Sequence, residues 1–120
     1  MPTLLLLDDD PQRHAHYAEQ YRWWTITHAY SYDECVRALD AATTPFDVAQ
    51  LDHDLDWMQA AGLPSPVPSG TNVAEYIAKL PPNRVPKTII IHSWNRQGRA
   101  RMAHLLRATR AEVIIKPSPV

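Results

Sequence analysis

The sequence predicts an open parallel α/β sheet with helices on both faces, folded as a single domain over residues 1–120. Three observations predict it. Short, largely apolar runs alternate with segments of helical periodicity roughly ten to fifteen residues long, which is the pattern of strand–helix–strand units. Three of those runs stop abruptly at polar clusters: Leu4–Leu7 at Asp8-Asp9-Asp10, Phe46–Leu51 at Asp52-His53-Asp54, and Thr88–Ile91 at His92-Ser93. A chain of 120 residues suits one domain with a core of its own.

Thr3–Leu7 is a continuous apolar run, as expected of a strand buried on both faces. Asp10-Pro11 then starts a helix, the acid as cap and the proline in the first turn. His14, Tyr17, Ala18 and Tyr21 give that helix its inward stripe. Trp23–Ala29, β-branched and aromatic, reads as the second strand. Ser31 with Asp33-Glu34 opens a second helix, with Tyr32, Cys35, Val36 and Leu39 inward, and Thr44-Pro45 breaks it. Phe46–Asp52 is the third strand. Residues 55–70, with three prolines and two glycines, read as a long loop. Thr71–Leu80 is helical until Pro81-Pro82, Thr88–His92 is a fourth buried strand, Gly98–Thr109 a fourth helix and Glu112–Lys116 a fifth strand.

Right-handed crossovers leave few topologies for five such strands, and the flavodoxin-like order 2-1-3-4-5 is the expected one. Ligands of such sheets bind where strands 1 and 3 part, at their carboxyl ends. Those ends carry Asp8-Asp9 and Asp52-His53-Asp54. Unpaired charge buried there would cost several kcal/mol, on the order of the penalties for isolated ions, so a cation is expected to answer it. The three polar strand ends are therefore expected to meet in one acidic, histidine-bearing, metal-binding pocket. Continued strand geometry would point Asp54 to the same side as Asp52; otherwise it caps the following loop. His53 and His92 beside it suit acid–base work near neutrality, or would ligate a metal and shift preference from Mg²⁺ toward Mn²⁺. Ser93 and Asn95 stand where the fourth strand meets a helix N-terminus, and would either bind phosphate there or simply cap the helix. Arg96 and Arg99 would either line a solvated helix face or draw in an anion, and Trp57 and Met58 would either stack on a base or anchor their loop. His14, His16, His28 and His104 read as surface or satisfied core residues.

Bulk properties exclude much else. The net charge of -1 gives no global pull toward nucleic acid or membrane. Cys35 is the only cysteine, so no internal disulfide forms, and a reducing, cytoplasmic home is expected. Leu4–Leu7 is too short for a signal segment or a membrane span.

Asp8-Asp9, Asp52, Ser93 and Lys116-Pro117 together resemble the five-point site of response-regulator receiver domains. That resemblance implies a divalent cation held by Asp9 and Asp52, with Asp8 acting through water. It makes Asp52 the phospho-acceptor and puts Ser93 and Lys116 on the phosphoryl oxygens. A narrower likeness is carried by Leu51-Asp52-His53-Asp54-Leu55 and by Ile91-His92-Ser93-x-Asn95-x-x-Gly98-x-x-x-Met102. These resemble the cyclic-phosphate-processing receiver-like family, whose basic residue near the first helix Arg13 also matches. The likeness runs from Leu4 to about Met102. It implies a Mg²⁺- or Mn²⁺-dependent phosphoesterase opening cyclic phosphates of nucleotides, oligonucleotides or RNA ends, in phage–host conflict or RNA repair. In that reading Asp52, His53, His92, Asn95 and Lys116 do the chemistry. Arg13, Ser93, Arg96 and Gly98 hold phosphate, and Asp8, Asp9, Asp52 and Asp54 hold the metal. The alternatives are a phospho-accepting receiver and a cyclic-nucleotide binder without turnover. No sequence-specific DNA binding is expected.

Three departures stand out. Arg96 replaces an expected proline, Asp56 an expected glycine, and the sequence stops four residues after Lys116, so the fifth helix of a receiver is expected to be missing. Its loss is expected to uncover one face of the last two strands and to favour a homodimer.

Overall fold

Strands β1 (Thr3–Leu7), β2 (Thr25–Ala29), β3 (Val48–Leu51), β4 (Thr88–His92) and β5 (Glu112–Lys116) form one parallel sheet in the order β2-β1-β3-β4-β5. The computed structural model describes residues 1–55 and 68–116. Trp57, Met58, Asp56, Pro117 and most of the 55–70 loop lie outside the described residues. Helices α1 (Pro11–Gln20), α2 (Tyr32–Ala41), α3 (Gly70–Ala78) and α4 (Arg96–Arg107) connect the strands, with a short 3-10 turn at Pro82–Arg84. Among the described residues, no helix is long and apolar enough to cross a membrane.

Side-chain alternation along the strands divides the interior in two. Leu5, Leu7, Ala49, Leu51, Ile89 and Ile91 face the main core, where Leu39 of α2, Ile77 of α3 and Met102 and Leu106 of α4 meet them. Leu4 and Leu6 face the other way, onto Tyr17 of α1, with Tyr21, Trp24, Ile26 and Val48 packed around them. Each of these leucines is fully buried, which explains why β1 has no polar position between Thr3 and Asp8.

Helix starts follow their caps. The Asp10 carboxylate accepts from the Gln12 N–H at 2.8 Å with Pro11 in the first turn, and Ser31 accepts from the Glu34 N–H at 3.2 Å. Two helices begin earlier than periodicity alone suggests. Ser69 and Asn72 form a reciprocal capping box that starts α3 at Gly70, and Asn95 caps α4 through the Gly98 N–H at 2.8 Å. The second strand starts later, because Trp24 N–H bonds the Tyr21 carbonyl in a turn and Trp23 is left 74% exposed. On the α1 side of β4 and β5, Ile90 is buried, Ile114 half-buried and Lys116 exposed.

Candidate metal centre and active site

Two backbone hydrogen bonds carry the ladder beyond the last strand residues and fix the acids. Asp8 N–H bonds the Ala29 carbonyl at 3.1 Å, and Asp52 N–H bonds the Leu7 carbonyl at 3.0 Å. One carboxylate oxygen from each of Asp8, Asp9 and Asp52 then lies within 4.8 Å of the others. Three carboxylates are a hard, oxygen-only donor set, which suits Mg²⁺ or Mn²⁺ and fits the cation expected from sequence. Such an ion would polarise a phosphoryl oxygen and neutralise charge developing on it.

Asp8 is fully buried yet saturated with donors. Its Oδ1 accepts from the Asp10 N–H at 2.9 Å; its Oδ2 accepts from Arg13 Nε at 2.7 Å and His92 Nε2 at 2.8 Å. Burial alone would raise its pKa, but the hydrogen bonds from His92 and Arg13 outweigh burial and bring it down to about 2. Asp52 is the opposite case. Its Oδ1 accepts from the His53 N–H at 2.9 Å, while Arg13 Nη2 stands 3.4 Å from its Oδ2. Burial first, then the charge of Asp8, pushes its carboxyl up to about 8, against a weaker pull from Arg13.

His92 is fully buried, its ring 5.3 Å from that of Tyr17, and Nδ1 has no hydrogen-bond partner among the described residues. It therefore reaches the site through Asp8 alone. His53 is more open. Its Nδ1 lies 2.9 Å from Asp54 Oδ1, which also accepts from Asn95 Nδ2 at 3.4 Å. Asp54 is thus tied to His53 and Asn95, at the rim beside the three clustered acids.

Gly98 supports that arrangement by its lack of a side chain. A Cβ there would come within 2.4 Å of the His53 ring, and the Gly98 N–H is already given to Asn95. Ser93 is buried, its hydroxyl accepting from the Asn95 N–H at 3.1 Å while its carbonyl accepts from Arg99. Arg96 is exposed on the first turn of α4. Lys116 stands apart from the cluster. It is exposed beside a cavity of about 140 Å³ lined by His16, Tyr17, Gln20, Tyr21, Gln50 and Ile90, with no carboxylate of the described residues within 4 Å.

Two supporting residues had little signal in the sequence. His14 bonds the Asp8 carbonyl through Nε2 at 2.8 Å and His28 through Nδ1 at 2.7 Å, so it is a satisfied core histidine that also steadies the acid. Gly70 lets α3 close on the end of β3, since a Cβ would meet the Asp52 carbonyl oxygen at 2.2 Å; the Gly70 N–H bonds the His53 carbonyl. A glycine behind a capping serine was the only trace of it.

Comparison with solved structures places the fold. A response regulator receiver domain from Methylobacillus flagellatus aligns with a TM-score of 0.72 at 15% identity, over 100% of this chain and 88% of that one. The regulator TrrA of Thermotoga maritima, in complex with Mg²⁺ and beryllofluoride, aligns at 0.66 and 22% identity, over 97% and 87%. A Burkholderia pseudomallei response regulator with a phosphorylated aspartate aligns at 0.69 and 16%, and this chain spans 61% of it. No curated protein matches. The family described as the cyclic-phosphate processing receiver domain matches residues 3–108, which contain every acid and histidine of the site described above. The chain belongs to that family, built on the receiver fold.

Proposed function

We propose that this protein is a metal-dependent phosphoesterase that opens cyclic phosphates on nucleotides, oligonucleotides or RNA ends, working in the cytoplasm. The observation that carries the proposal is the Asp8–Asp9–Asp52 cluster at the carboxyl ends of β1 and β3 in a chain of this family. Asp9 and Asp52 would hold the cation directly, while Asp8, its lone pairs already engaged, would hold it through water. The cation would polarise the phosphoryl oxygen when bound.

His53 is the better placed acid–base group. It lies at the rim, and Asp54 orients its ring as carboxylates orient imidazoles elsewhere. His92 acts as a positioning residue on Asp8. Asn95, Ser93 and the first turn of α4, including Arg96 and Gly98, frame the place where an anion would sit. Arg13, Asn95 and Lys116 would steady the charge developing on the phosphoryl group. We also propose a homodimer through the α1-side face of β4 and β5, where Ile114 is half-buried and Lys116 exposed. Light scattering at micromolar concentration would show a dimer, and a monomer would contradict it.

The test is a ³¹P NMR turnover panel of 2′,3′- and 3′,5′-cyclic mononucleotides, cyclic dinucleotides and cyclic-phosphate-ended RNA, with Mg²⁺ or Mn²⁺. Ring opening is expected, lost in Asp52→Asn and reduced about 10²–10⁴-fold in His53→Ala. A phospho-adduct from acetyl phosphate, lost in Asp52→Asn, with no ring opening, would make the protein a receiver instead. Tight binding without turnover would make it a cyclic-nucleotide binder.

A further inference from the structure

Arg13 is placed oddly for a residue that only meets substrate. Its guanidinium engages four acids: Nε to Asp8 Oδ2 at 2.7 Å, Nη2 to Asp9 Oδ1 and to Asp52 Oδ2 at 3.4 Å each, and Nη1 to Asp10 Oδ2 at 3.4 Å. Three of those acids are the carboxylates that fit a divalent cation. Among the described residues no lysine and no other arginine lies within 4 Å of Asp8 or Asp52.

The contacts differ in grip. The 2.7 Å bond to Asp8 is of full charge-assisted length, whereas contacts of 3.4 Å to Asp9 and Asp52 are well beyond the roughly 2.7–2.9 Å of such bonds. The guanidinium is therefore tethered at Asp8 and loose toward the two acids best suited to bind an ion directly. It also has somewhere to go. An open depression of about 510 Å³, lined by Asp9, Asp10, Pro11, Gln12 and Arg13 itself, adjoins the cluster. The side chain keeps 18% exposure toward solvent.

From this geometry we infer that Arg13 is the resident counter-cation of the cluster and is displaced by the divalent ion, so that it sets how tightly the protein holds metal. The inference rests on the metal-binding reading above and deepens it. One positive charge spread over four acids keeps the cluster foldable. With a dication held by Asp9 and Asp52, the Nη end of the guanidinium would be pushed off those two acids and swing into the depression beside Asp9 and Asp10, pivoting on the Nε bond to Asp8. There it faces solvent at the edge of the site and is free to meet a phosphoryl oxygen only after the metal is in place. Metal and anion therefore bind in that order.

Calorimetric titration with Mn²⁺ tests this on wild type, Arg13→Met and Asp52→Asn. Arg13→Met, which keeps the length of the side chain and removes its charge, is expected to bind Mn²⁺ about tenfold tighter or more. Equal or weaker binding by Arg13→Met, with binding still lost in Asp52→Asn, would overturn the exchange and leave the metal site standing. Absence of binding in both wild type and Arg13→Met would overturn both. A second measurement needs no stable variant. The Arg13 Nη–H groups of wild type, which face Asp9 and Asp52, are expected to shift and lose protection from solvent exchange in ¹H–¹⁵N spectra on addition of Mg²⁺, while the Nε–H held by Asp8 keeps its protection. Unchanged Nη–H resonances at saturating Mg²⁺ would overturn the proposal.

Discussion

Asp8 and Asp52 are neighbours with opposite electrostatics, and the difference comes from who donates to them. Asp8 holds three donors and stays ionised far into acid, whereas Asp52, poorly answered and close to Asp8, keeps its proton until about pH 8. Because the folded pKa of Asp52 lies above that of an unfolded chain, the folded protein holds a proton the unfolded one lacks between about pH 4 and about pH 8. Its contribution to stability therefore falls as pH rises through that window. Urea midpoints at about pH 5 and about pH 8 should converge less in wild type than in Asp52→Asn, where this group no longer titrates. Saturating Mg²⁺ should reverse the trend, since metal favours the carboxylate. His92 is the other decisive residue at this scale. Removing it leaves Asp8 buried beside one donor fewer, so His92→Ala should lose about 2–4 kcal/mol by chemical denaturation. A loss below about 0.5 kcal/mol would mean that the pair contributes nothing. The sequence showed both residues beside a pocket, but not that one is sealed beneath it. Depth depends on the Tyr17 ring packed against His92, which spacing does not report.

At the scale of elements, the site is an arrangement of helix starts around strand ends. Asn95 is at once the cap of α4 and a donor to Asp54, and Gly98 one turn on leaves room for the His53 ring. Gly98→Ala should retain the fold but force that ring aside, lowering ring opening about tenfold or more in the ³¹P assay. Asn95→Ala should cost about 1 kcal/mol of stability as a lost cap and also free Asp54. Here the sequence was legible where caps are local. Asp10-Pro11 and Ser31 announced α1 and α2 outright. Periodicity misjudged the starts of α3 and α4, because Gly70 and Arg96 carry no apolar side chain; their helical state is fixed by hydrogen bonds from Ser69, Asn72 and Asn95. Likewise Trp23 looked like strand by composition, yet a turn closed by the Tyr21 carbonyl holds it out in solvent.

For the molecule as a whole, topology follows from chemistry already visible in the chain. Largely apolar runs such as Leu4–Leu7 and Ile89–Ile91 require cover on both faces, parallel crossovers bring strand ends to one edge, and that edge carries the acids. The strand order was therefore readable before any coordinate. What was not readable is the sharing of charge across the site. Arg13, five residues after Asp8, reaches Asp52 thirty-nine residues away, while Lys116 at the end of β5 does not enter the cluster. Lys116→Ala should accordingly leave Mn²⁺ affinity within about twofold of wild type, whereas Asp9→Asn should weaken it about tenfold to a hundredfold. The central claim is that this acidic cluster opens a cyclic phosphate. It is tested most directly by a ³¹P NMR time course on the cyclic-phosphate substrates with Mn²⁺, for wild type and Asp52→Asn side by side. The account predicts loss of the strained-ring resonance and growth of a phosphomonoester or linear diester signal in wild type alone. Ring opening that persists undiminished in Asp52→Asn, or a ring that survives in every sample, would contradict it.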